Sequence, residues 1–148
     1  MLLETLKKLF LRDLARLRKE IENYKDEKNI WIIQNDISNT AGNLCLHLIG
    51  NLNTYVGAEL GRSGYIRNRD LEFSLKNISR EELIFKLDET INVIDNTLSN
   101  LDPEQLNKEY PALVFAEKTT TEYMLVHLTT HLGYHLGQIN YHRRLLDI

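Results

Sequence analysis

Four of the five histidines of this 148-residue chain, His127, His131, His135 and His142, fall in the stretch Thr121 to Leu146. No proline interrupts TEYMLVHLTTHLGYHLGQINYHRRLL, and its apolar residues recur at helical spacing, which predicts one long helix. At roughly 100° per residue the four imidazoles share a stripe about 80° wide. Residues four apart lie one turn above each other. Two imidazoles at that step can therefore converge on one divalent metal, with their nitrogens about 2 Å from it. His127/His131 and His131/His135 both have this step, and spacing does not choose between them. His142 lies two turns beyond His135 and is flanked by Arg143 and Arg144. It is expected to be a C-terminal helix residue favoured by the helix dipole.

The fifth histidine, His47, sits in AGNLCLHLIGNLNTYVGAEL, the body of a predicted second helix. Leu44, Leu48, Leu52 and Tyr55 lie near its side, so its ring is expected in or beside the core. Asn43 and Asn51 stand one turn before and one turn after it. A lone buried histidine with an amide partner is the plainer reading. Beside a stripe of imidazoles elsewhere in the chain, ligation is favoured. His47 with a pair from the final helix would present three nitrogens to one cation and leave a fourth position for water or substrate. That open arrangement belongs to catalytic rather than structural sites. Three imidazoles suit zinc, nickel or iron, and copper as well.

Other chemistries fit less well. No histidine follows a glutamate by three residues, as a carboxylate-bridged di-iron site requires. HExxH and a glycine-rich phosphate loop are absent. Cys45, two residues before His47, points to roughly the opposite side of a helix, so a cysteine–histidine pair is poorly supported.

The elements that must position these residues are helical. Residues 2 to 24 carry an apolar stripe, Leu2, Leu3, Leu6, Phe10, Leu14, Leu17, Ile21 and Tyr24. The polar break 25 to 29 follows, then Trp31, Ile32 and Ile33 as an apolar plug at one end of the core. Ser38, Asn39 or Thr40 caps the second helix, and Gly57, Gly61 and Gly64 end it. The connection from Arg62 to Lys76 holds Arg67 and Arg69 beside Asp70 and Glu72. It reads either as a solvated loop with internal ion pairs or as a cover over the mouth of the fold, offering an arginine to an anionic substrate. Ser79 with Glu82 forms a capping box for a third helix, striped by Leu83, Leu87, Ile91, Ile94, Leu98 and Leu101. Asp102-Pro103 stops it. A second long connection, with Leu113, Val114 and Phe115 as an extended piece or a pocket wall, leads to a capping box at Thr119 and Glu122. Four main helices joined in this way predict an all-α, four-helix bundle in a single domain, residues 1–148.

Composition sets outer bounds. The chain is 43% hydrophobic and 26% charged, within the range of globular proteins. A net charge of −3 with scattered Lys and Arg offers no face for nucleic acid. The single Cys45 rules out an internal disulfide and fits a reducing compartment. The charged N-terminus does not read as a signal peptide, and no apolar run reaches the roughly 18 residues of a membrane span. A cytoplasmic location is expected.

His47 within NLCLHLIGNLNTYV, and HLGYHLGQINYHRRLL near the C-terminus, resemble the DinB/YfiT-like family of metalloenzymes. The SNTAGN lead-in and the GYIRNRDLEFS segment fit the same group, so the resemblance spans nearly the whole chain. Its most specific part is His131, His135, Gly137 and Gln138. The resemblance implies a four-helix bundle, a homodimer, and a metal held by His47, His131 and His135, which settles the choice of pair. His127 is then a neighbour. Asn51 and Gln138 become groups orienting a ligand or bound water, Tyr134 an open role beside His135, and Arg67 a substrate contact. It further implies a small-molecule substrate and either a thiol-dependent transferase, using a low-molecular-weight thiol, or a hydrolase. A non-catalytic metal-binding or stress-related dimeric bundle is the alternative, and a pH-sensing histidine core is a third.

Overall fold

The computed structural model describes residues 1–148, and the fold is all-helical with no strands, built on four long helices and one short one. Helix α1 (Leu2–Asn23) buries Leu3, Leu6, Phe10, Leu14, Leu17 and Ile21 along one stripe, as the three-and-four spacing requires. Leu2, at the start of that stripe, stays exposed. The stripe packs on α4 (Arg80–Asn100) and α5 (Thr121–Leu146).

Helix α2 (Ala41–Leu52) is the innermost element, and every one of its residues is buried. A helix apolar nearly all round can be stable only when neighbours cover each face. Here α4, α5 and the short helix α3 (Arg69–Ser74) do so. Thr40 caps α2, its hydroxyl accepting the Asn43 N–H at 3.0 Å. The helix then widens into a π-helical stretch, Asn53–Ala58. Asn53 Nδ2 donates there to Ile49 O at 2.8 Å and to Thr90 Oγ1 on α4 at 2.9 Å.

Three local expectations shift. The plug between α1 and α2 is Ile30, fully buried in a 3₁₀ turn at Glu27–Trp31; the chain is extended beyond that turn and leaves Ile33 half exposed. The N-cap of α5 is Thr120, whose hydroxyl accepts the Tyr123 N–H at 3.1 Å. An isolated bridge between Glu109 and Thr120 takes the Thr119 carbonyl, which accepts from Tyr110 N at 2.8 Å, so the helix starts one residue later. The Arg62–Lys76 connection is not simply loop: α3 lies within it, capped by Asn68. The Ser79 cap on α4 is formed, with Glu82 N donating at 3.2 Å. No helix is long and apolar enough to cross a membrane.

Candidate metal centre

Helix α5 places His131 and His135 one turn apart on the side that faces α2, and α2 presents His47 to them. His47 Nε2 lies 3.2 Å from His131 Nε2, and His135 Nε2 lies 3.2 Å from the same atom. One nitrogen from each of the three falls within 4.8 Å of the others. Nitrogens bound at about 2.0–2.1 Å around a tetrahedral cation stand about 3.3–3.4 Å apart, so the two spacings through His131 suit a shared cation.

The partners of the outer nitrogens assign the tautomers. His47 Nδ1 is 3.1 Å from Glu72 Oε1, an acceptor once ionised, and 3.4 Å from Arg67 Nη2, whose shorter bond at 3.0 Å goes to that same oxygen. The closer carboxylate contact assigns the His47 proton to Nδ1 and leaves a lone pair on Nε2. His135 Nδ1 is 2.7 Å from Gln138 Oε1, which makes the same assignment for His135. Two lone pairs thus face one His131 nitrogen, whose single proton can satisfy only one of them. His131 Nδ1 is buried and has no hydrogen-bond partner. The cluster is therefore under-protonated at its centre, a donor set that a divalent cation fits. Burial, then the neighbouring His135 and His47, pushes His131 down to about 4. Burial also lowers His135, although its bond to Gln138 opposes the shift. Neutral imidazoles are the form that binds metal.

Behind His47, Glu72 is 6% exposed although its neighbours on α3, Asp70 and Leu71, are exposed. Its carboxylate accepts from Arg67 Nε at 2.8 Å and Arg67 Nη2 at 3.0 Å. Burial raises the Glu72 pKa. The hydrogen bonds from His47 and Arg67, with the guanidinium charge, outweigh burial and hold it below the usual carboxylate range. The backbone is tied down too, since Asn43 Nδ2 donates to Glu72 O at 2.9 Å and Leu75 O at 2.8 Å.

Glu72 is the site residue that sequence reasoning missed as a partner of His47. It stands 25 positions from His47, and no pattern of acidic residues marks it. A signal was present at Gly50, inside the predicted helix and one turn after His47: a Cβ there would overlap the Glu72 carboxylate. Glycine inside a helical pattern often marks close approach of another group.

The remaining candidates take different places. His127 stacks on His131 with ring centroids 6.2 Å apart and meets Phe115 edge-to-face at 4.8 Å. Phe115 thus belongs to the wall around the histidines. Tyr134 is 67% exposed, its ring 5.3 Å from that of His135. Asn51 is buried, and its Oδ1 bonds neither to a histidine nor to any other group. Arg67 has both its Nε and Nη2 donors on Glu72. His142 departs from its expected role. It is buried, with Nδ1 2.6 Å from Tyr24 OH and Nε2 2.9 Å from Ile32 O. Burial lowers its pKa, the opposite of the shift a helix C-terminus gives an exposed histidine. Cys45 is fully buried, and burial pushes its thiol up to about 12, far from a reactive thiolate.

Beside His135 a cleft of about 540 Å³ runs between residues 36–39 and the second half of α5, walled by Ile37, Leu44, Tyr134, Tyr141 and Leu145, with Gln138 at its polar side.

No curated protein matches the chain. A family model matches residues 2–147, a span that takes in both helices that supply the histidines and the connection that supplies Glu72. The chain belongs to the family described as protein of unknown function (DUF1572).

Proposed function

We propose that this chain is a metal-dependent enzyme related to the DinB/YfiT-like proteins, with a divalent cation held by His47, His131 and His135 and one coordination position open. The single observation that carries this reading is the convergence of the His47 and His135 Nε2 atoms on His131 Nε2, each at 3.2 Å, both with their protons committed elsewhere. The long helices α1, α2, α4 and α5 are read as a four-helix bundle, with α3 as an addition on α2. The kinship rests on His131, His135, Gly137 and Gln138 in one helix and His47 in another.

A cation in this position supplies Lewis acidity to an oxygen or thiol of the substrate. Residues of the chain do the rest. Gln138 keeps the inner nitrogen of His135 unprotonated. The cleft beside His135 has room and mostly apolar walls for a small organic molecule. The reaction proposed is transfer to or from a low-molecular-weight thiol, or hydrolysis, in a cytoplasmic homodimer.

One observation favours a second reading, a non-catalytic metal-binding bundle. Arg67, the candidate substrate contact, is bonded to Glu72 through two donors and so is not a free receptor for an anion. Two measurements separate the readings. Elemental analysis of untagged protein should find stoichiometric metal that His47→Ala loses; equal metal in that variant overturns the three-histidine ligand set. A screen of activated electrophiles with several small thiols should then show metal-dependent turnover, and silence across it with the metal in place leaves only the second reading.

A further inference from the structure

His47 stands alone on its helix, whereas His131 and His135 are set by one shared rod. Something outside α2 must orient its ring, and the Arg62–Lys76 connection reaches it. That connection is pinned to α2 by the Asn43 amide and by the Glu72 carboxylate. Arg67 and Glu72 could pair in solvent five residues apart without entering the core. They are instead drawn inward over Gly50, which leaves the room, until Glu72 meets the back of His47. Burying a carboxylate is costly unless its lone pairs are satisfied. Here two guanidinium donors and one imidazole donor satisfy them.

We propose that Glu72 is a positioning residue for the metal centre, holding the His47 proton on Nδ1 and aiming Nε2 at the cation, so that metal affinity and the ordering of residues 62–76 are coupled. The inference rests on the three-histidine reading above. A carboxylate on the outer nitrogen fixes the tautomer and makes the inner nitrogen a better donor. Arg67 serves by holding the Glu72 carboxylate in place through two donors. The coupling runs both ways: whatever orders the connection tightens the metal, and the metal orders the connection.

The test begins with the metal-free, unsubstituted protein. Long-range 1H–15N correlation should find the His47 proton on Nδ1; a proton on Nε2 overturns the proposal. Zinc affinity is then measured by competition with a chromophoric chelator. Glu72→Gln is nearly isosteric, but its amide can accept from His47 only by turning its NH2 against the Arg67 donors. It should bind zinc about ten- to a hundred-fold more weakly. Gly50→Ala, which keeps the carboxylate and displaces it, should move affinity the same way. Wild-type affinity in Glu72→Gln overturns the proposal. Zinc should also slow backbone hydrogen exchange across residues 66–75 in the wild type and leave it unchanged in His47→Ala; no slowing in the wild type removes the coupling. If His47→Ala loses zinc and Glu72→Gln does not, the role of Glu72 alone is wrong. If His47→Ala binds zinc as well as the wild type, the ligand set and this proposal fall together.

Discussion

His135 and His142 stand two turns apart on one helix and share a stripe, yet their nitrogens have opposite fates. Both ring nitrogens of His142 are used, one by Tyr24 OH and one by Ile32 O, and the ring ties α5 to the start and the middle of the α1–α2 connection. His135 has one nitrogen on Gln138 and the other turned toward His131 and His47. A histidine with two ordinary partners is part of the packing. Histidines whose inner nitrogens have only each other to face form a site. Burial does not define a site histidine: His135 is only half-buried, yet His47, its partner in the site, is at 7% exposure nearly as covered as His142 at 4%. What separates them is whether a hydrogen-bond partner closes the inner nitrogen.

The largest effect expected from this contrast is on metal. His131→Ala removes the central nitrogen and should abolish zinc binding in equilibrium dialysis while far-UV circular dichroism stays helical. Full occupancy in that variant would erase the distinction between the two ends of α5. His142→Ala should do the reverse, with zinc retained and stability reduced. It leaves Tyr24 OH and Ile32 O without partners and opens a cavity, together about 3 kcal/mol in urea unfolding. A variant as stable as the wild type would deny His142 its packing role.

Acid provides an intermediate test. A histidine lowered in the folded state to about 4, as His131 is, binds its proton more readily when unfolded, where it titrates near 6.5. The unfolded chain therefore holds more protons between these values. Stability of the metal-free protein is full above about pH 6.5 and declines as pH falls toward 4. The lowered His135 and His142 add in the same direction. Urea midpoints taken across that window should fall, and His131→Ala should flatten the fall; an identical slope would contradict the assignment. The smallest effect concerns Gly137, between the two regions. A Cβ there would meet nothing within 4 Å. Gly137→Ala should raise stability by about 1 kcal/mol through helix propensity and leave zinc affinity unchanged.

The helices were legible because their signals are local. The α5 span follows from unbroken periodicity, the α4 start from Ser79, and the buried stripe of α1 from its spacing. Where a boundary moved, as from Thr119 to Thr120, a hydrogen bond across the second long connection had taken the backbone group that the cap would have used. The pair His131 and His135 was visible as one of two equal steps on a helix, and His47 as a polar residue on an apolar face.

What local order determined is therefore the rods and the imidazoles each one carries, since a 3.6-residue repeat dictates which side chains share a face. That His47 meets His131 and not His127, that Glu72 crosses 25 residues to reach it over Gly50, and that His142 is closed by Tyr24 and Ile32 were decided only when the helices packed. These contacts join residues far apart in the chain, and their energies depend on which nitrogens packing leaves without a partner.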